Sequence, residues 1–131
     1  MSAAGSEARL RGVLWLDAGI CAVFAVFCVL ARGWLTTGLG LPGWLVTWGA
    51  VILVAAALLM ALTAWRRPLA RGLLVLVVAG NVGWVVASVL VALAGLAGNG
   101  WGTAFVLVQA AGVLPLLLVE ARGLSQSAQA V

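Results

Sequence analysis

The sequence predicts an all-α membrane protein, a four-transmembrane-helix bundle forming one domain over residues 1–131 with both termini in the cytoplasm. Three observations predict it. Hydrophobic residues make up 66% of the chain and charged ones 8%, and the mean hydropathy is +1.26, far outside the usage of soluble domains. Four segments, roughly 12–31, 44–65, 72–94 and 102–119, approach the 20 or so apolar residues that cross about 30 Å of hydrocarbon as a helix. Arg9, Arg11, Arg66, Arg67, Arg71 and Arg122 all fall on one side of those segments and only Arg32 on the other, which by the positive-inside bias faces both ends of the chain inward.

The first segment follows Arg9 and Arg11 and resembles a signal peptide only at its start. A secretory apolar region runs about 7–15 residues before small residues at a cleavage site, and this one is longer. Bulky Ile20 and Phe27 precede Cys21 and Cys28, which argues against lipoprotein processing. It is read as a retained span. Within it Asp17, Cys21, Phe24, Cys28 and Arg32 recur at i, i+4, i+7, i+11 and i+15, one stripe of a helix facing the bundle.

Pro42 and its neighbouring glycines break the chain before the second segment, and Pro68 breaks it after. Ala50, Ala57, Ala61 and Ala64 on the second segment, with Gly80, Gly83 and Ala87 on the third, are spaced so that backbones can approach closely. The third segment also carries Asn81, Trp84 and Ser88 at i, i+3 and i+7; the fourth carries Gly102, Phe105, Gln109 and Gly112 at i, i+3, i+7 and i+10. Pro115 lies inside the fourth and frees the carbonyl of Ala111, so a kink is expected there. The tails, 1–7 and 125–131, are small and polar, and loose order is expected of them.

Tryptophan supports the frame. Trp15 and Trp65 lie near the cytoplasmic ends and Trp34, Trp44, Trp48 and Trp101 near the outer ends, as an aromatic belt requires. Trp84 lies deeper. At about 1.5 Å per residue, Cys21 and Asn81 are equally far from Arg11 and Arg71, and Gln109 is within one turn of that depth counted from Arg122. A single polar layer near the midplane is expected, with Asp17 about one turn closer to the cytoplasm. Asp17, Cys21, Asn81, Trp84, Ser88 and Gln109 therefore form the candidate intramembrane polar site. An ionised Asp at a span's centre costs about 2.5–3.5 kcal/mol on insertion scales, so Asp17 is expected neutral or hydrogen-bonded and facing inward.

Several function classes are excluded as expectations. The arginines sit at the ends of spans and not on one exposed face, so no nucleic acid is expected as partner. The chain has no His and two Cys, too few ligands for a tetrahedral metal site. Those cysteines are about 10 Å apart along one helix, beyond disulfide reach. Without His or Lys, a nucleophile, base and orienter cannot be assembled. Neither enzymatic activity nor a cofactor is expected.

The motifs "LDAGI" in the first segment, "GLP" before the second, "RRP" after it, "GNVGW" followed by Ser88 in the third, and "AFVLVQA" with "EARGL" in the fourth together resemble a family of small four-span bacterial integral membrane proteins. The resemblance runs from Leu10 to Leu124 and implies the fold and a multi-pass place in the bacterial inner membrane. It brings no activity to transfer. The leading expectation is a non-enzymatic structural or accessory membrane component, with the lipid bilayer, a homo-oligomer or a larger membrane complex as partners. The alternative is a small proton-coupled transporter of lipophilic cations that looks like the small multidrug resistance proteins, with Asp17 as coupling acid. Two features depart from that pattern: the acid there is Glu, and antiparallel dimers need a weaker charge bias.

Overall fold

A computed structural model describes the backbone of residues 3–129 and the side chains of 5–126. Among these residues the chain forms α1 (Ala3–Leu30), a five-residue π-helical segment (Trp34–Gly38), α2 (Gly43–Trp65), α3 (Arg71–Leu93) and α4 (Gly100–Gln129). The four long helices are each long and apolar enough to cross a membrane, and the protein is an all-helical bundle of membrane type. The middle two match the expected spans within a residue. The outer two are longer: 3–11 continue α1 and 120–129 continue α4 as helix, where loose tails were expected for 1–7 and 125–131. Met1, Ser2, Ala130 and Val131 lie outside the described residues. Pro115 sits within α4 without ending it.

Local chemistry explains the boundaries. Pro42, with extended backbone, immediately precedes α2, where its lacking amide hydrogen is no loss. Asn99 caps α4: its Oδ1 accepts the amide hydrogen of Gly102 at 2.9 Å, and its carbonyl accepts that of Thr103. That is the role asparagine fills best at a helix start. The same residue donates from Nδ2 to the Gly38 carbonyl at 3.0 Å and from its backbone to the Leu39 carbonyl at 3.3 Å, tying the start of α4 to the α1–α2 connection.

The closest packing is α1 on α2. Leu14, Ala18, Cys21, Ala25 and Cys28 of α1 are buried, as are Val46, Ala50, Leu53, Met60 and Ala64 of α2. The α1 set advances by alternating three and four residues, and the α2 set does so once half-buried Ala57 is included, the spacing of a left-handed seam in which small residues let the backbones come near. α3 and α4 form the second hairpin. The two hairpins touch firmly at both ends: Leu10 lies against Gly123 at one, and Gly98 lies against Gly40 at the other. Between those ends they are less tightly joined. A Cβ added at Gly80 or Gly83 would meet nothing within 4 Å, so the small-residue face expected to bring α3 against a neighbour is open there.

The half of the bundle nearer the arginines is closely packed. Leu14, Met60, Thr63, Leu74, Val77 and Glu120 are all fully buried in that half. Arg11 of α1 reaches across to α2, donating from Nη1 to the carbonyls of Ala64 and, at 2.8 Å, Arg66, while Nη2 pairs with Glu7 at 2.6 Å. A cation thereby meets carbonyls that a helix end leaves free. Arg11→Leu is expected to cost roughly 1 kcal/mol, because water at the rim replaces part of the lost bonding. Unfolding in mixed detergent micelles measures it; Arg11→Lys, keeping the charge without the fork, falls between. An unchanged Arg11→Leu would mean that the reach to α2 does nothing for stability.

Six of the seven tryptophans are exposed, while Trp84 is half-buried. The exception to the aromatic belt is thus an interior residue.

Candidate functional site

α1, α3 and α4 each contribute one residue to a buried polar cluster in the closely packed half. Asp17 is 2% exposed and Glu120 0%. Between them stands Asn81, whose Nδ2 donates to Asp17 Oδ2 at 3.2 Å and to Glu120 Oε1 at 2.7 Å. One amide thus bridges two acids. The Cys21 thiol, one turn along α1, donates to Asp17 Oδ1 at 3.8 Å. Glu120 Oε2 is buried and has no hydrogen-bond partner. Arg11, the buried arginine of α1, is engaged by Glu7 and the α2 carbonyls.

A second network lies further along α3. Trp84 Nε1 donates to Gln109 Oε1 at 2.7 Å; Gln109 Nε2 donates to Ser88 Oγ at 3.0 Å and to the Val106 carbonyl at 2.7 Å. Ser88 Oγ donates in turn to the Trp84 carbonyl at 2.8 Å. The loop of bonds closes on itself and holds the indole in one orientation.

All six residues of the expected polar site face the bundle, but they form two networks where one layer was expected. Asn81 bonds Asp17 and Glu120, and Gln109 bonds Trp84 and Ser88, three and seven residues further along α3. Gln109 is as many residues from Arg122 as Trp84 is from Arg71, so its indole partner lies within one turn of Asn81. Glu120 was missed because a span drawn to end at 119 excludes the acid at 120, although α4 continues to Gln129. The signal was present. Gln109, Val113, Leu116 and Glu120 recur at i, i+4, i+7 and i+11, the same periodicity that picked out Asp17.

A cavity of about 540 Å³ lies among the four helices. Asp17, Cys21 and Asn81 line one end of it, Trp84 and Gln109 the other, with apolar residues of all four helices between. Ser88 lies outside it, on a second cavity of about 320 Å³ nearer the helix connections. Among the described residues no three His, Cys, Asp or Glu are grouped to hold a metal ion. What the first cavity offers is an apolar wall, two aromatic rings, Phe24 and Trp84, and one acid, Asp17, beside the Asn81 amide that also holds Glu120.

No family model matches the chain, and comparison with curated proteins and with solved structures found no match.

Proposed function

We propose that the protein is a small proton-coupled transporter of lipophilic cations in the bacterial inner membrane, not an enzyme, with both termini in the cytoplasm. The observation that carries this reading is the pair of buried acids, Asp17 and Glu120, bridged by the Asn81 amide, with Asp17 and that amide lining one end of an apolar cavity and Glu120 behind them. Two carboxyl groups on a single neutral donor, out of water, need a proton or a cation between them, because uncompensated buried charge is costly and like charges repel. The unpartnered Glu120 Oε2 is where such a positive charge gains most. An organic cation adds what a proton lacks: an apolar body suited to the cavity walls and a charge that aromatic faces attract. Proton and cation then compete for one pair of acids, and that competition couples their movements.

Six of the seven arginines lie at one end of the bundle, which supports the cytoplasmic placement of the termini through the positive-inside bias.

The test is proton release from detergent-solubilised protein in weak buffer on titration with tetraphenylphosphonium and smaller quaternary cations. Wild type is expected to release protons as cation binds, and Asp17→Asn to lose that release while staying folded, since an amide keeps shape and hydrogen bonding without a proton to exchange. Glu120→Gln is expected to do the same. Silence in wild type and variants alike would overturn the transport reading in favour of a structural or accessory component, with Asn81 simply joining three helices.

A further inference from the structure

The seam between α1 and α4 carries charge at one end and an opening at the other. At the arginine end, where Leu10 lies against Gly123, the two helices leave a recess of about 270 Å³. Ser6 and Arg9 line it from α1, and Arg122 and Gln126 from α4. Among the described residues no acid lines it. The acids nearest in sequence are engaged elsewhere, Glu7 by Arg11 and Glu120 by Asn81 inside the bundle. Two guanidinium groups, a hydroxyl and an amide around one hollow suit an oxyanion, and the arginine fork matches phosphate in particular.

The same faces of both helices run on from this recess toward the middle of the membrane. On α1 they carry Ser6, Arg9, Val13, Leu16 and Ile20 at i, i+3, i+7, i+10 and i+14; on α4, Gln126, Arg122, Val119, Leu116 and Gly112 recur at the same three- and four-residue steps. Each set is one stripe of its helix. Inward of the arginines both stripes are apolar, and Leu16, Ile20 and Gly112 are exposed. Both end at the cavity that holds Asp17, which Ile20, Gly112 and Leu116 help to line. At about 1.5 Å per residue, that point lies about 16 Å from Arg9 and about 15 Å from Arg122, which is half of a hydrocarbon core about 30 Å thick. It is the depth to which the chains of one leaflet reach.

We propose that an anionic phospholipid occupies this seam, its phosphate between Arg9 and Arg122 and one acyl chain lying along Leu16 and Leu116 to the opening at Ile20 and Gly112. Charge selects the headgroup. A headgroup that carries an ammonium brings a positive charge back beside two arginines, whereas a glycerol headgroup or a second phosphate leaves the negative charge to them. The apolar stripes select a lipid over free phosphate, which would fill the recess and leave the track beneath it unused. The chain end then forms part of the wall of the inner cavity. The site stands whether or not that cavity carries cargo.

The test titrates the purified protein in mild detergent with dioleoyl phosphatidylglycerol or dioleoyl phosphatidylcholine and counts bound lipid by native mass spectrometry. Wild type is expected to hold one phosphatidylglycerol in clear preference to phosphatidylcholine. An arginine beside an anionic headgroup is worth about a fivefold change in affinity, so Arg9→Gln with Arg122→Gln is expected to weaken phosphatidylglycerol by about thirtyfold. Both arginines are exposed, so the fold should survive. Arg9→Lys with Arg122→Lys, which keeps the charge without the fork, should fall between. Arg66→Gln with Arg67→Gln makes the same charge change in the α2–α3 connection and should alter binding by about twofold or less, because salt screens exposed charges at a distance. Gly112→Leu fills the deep end of the track at a position where an added Cβ meets nothing within 4 Å. It should weaken the dioleoyl lipid and leave dihexanoyl phosphatidylglycerol, whose chains stop short of Ile20, unchanged. Inorganic phosphate in excess should not displace the dioleoyl lipid from wild type. Equal binding of the two headgroups, or equal losses in the two glutamine pairs, would overturn the site in favour of general attraction to a basic end. Displacement by inorganic phosphate, or indifference of the dioleoyl lipid to Gly112→Leu, would overturn the seating of a lipid in the seam.

Discussion

Gly98→Ala is expected to destabilise the fold by on the order of 4 kcal/mol or more, a loss reserved for a short set of severe mechanisms. Gly98 has φ +76 and sits where the α3–α4 connection crosses the α1–α2 connection. A Cβ there would overlap the Gly40 carbonyl oxygen and lie 2.5 Å from its carbon. Both contacts are with backbone, so neither connection can yield without displacing a helix end. The bond from the Asn99 amide to the Leu39 carbonyl, one residue away on each side, is lost with it. Gly95→Ala is the control. Gly95 has nearly the same backbone, φ +72, but nothing within 4 Å of an added Cβ. Its loss is the conformational strain alone, about 1–2 kcal/mol. Unfolding of both variants in mixed detergent micelles separates overlap from strain. Comparable losses would mean that the crossing of the connections does not hold the hairpins together.

Asn81→Leu is expected to cost about 1–3 kcal/mol, since it removes two interhelical hydrogen bonds, each worth roughly 0.6–1.7 kcal/mol inside a membrane protein. The loss has a second part. Without the bridging amide, Asp17 and Glu120 remain buried and face each other with no donor between them. Removing one acid as well should therefore relieve part of the damage: Asn81→Leu combined with Glu120→Leu is expected to be more stable than the sum of the two single losses. Double-mutant cycles measure that coupling. Strict additivity would show that the amide serves each acid independently and is no bridge.

The helices were legible because a bilayer admits few alternatives. Length, hydropathy and arginine placement located α2 and α3 within a residue, and Pro42 and Pro68 marked real interruptions. Depth was legible in part. Gln109 is as many residues from Arg122 as Trp84 is from Arg71, and the two are bonded. A span drawn to end at 119 left Glu120 out, although α4 runs on past Arg122. The specific partnership of Trp84 with Gln109 was not legible. Both were picked out by periodicity, but periodicity gives a face and not a height, and the height of one helix against another is set by tertiary contacts such as Leu10 on Gly123 and Gly40 on Gly98.

The acid cluster also bears on how the protein is made. A polypeptide leaves the ribosome from its N-terminus and its hairpins assemble in that order, so Asp17 arrives in the bilayer with the first helix. Its amide partner comes with the third and the second acid with the last. The α1–α2 hairpin can close its own seam early, yet during that interval the acid has only the Cys21 thiol beside it. Insertion of α3 ends that exposure and insertion of α4 brings the second acid onto the same amide. The final helix is therefore the one that completes the interior: a chain arrested between α3 and α4 already has Asp17 bonded to Asn81, yet the amide still lacks its second acid and the face that α4 covers is open to lipid.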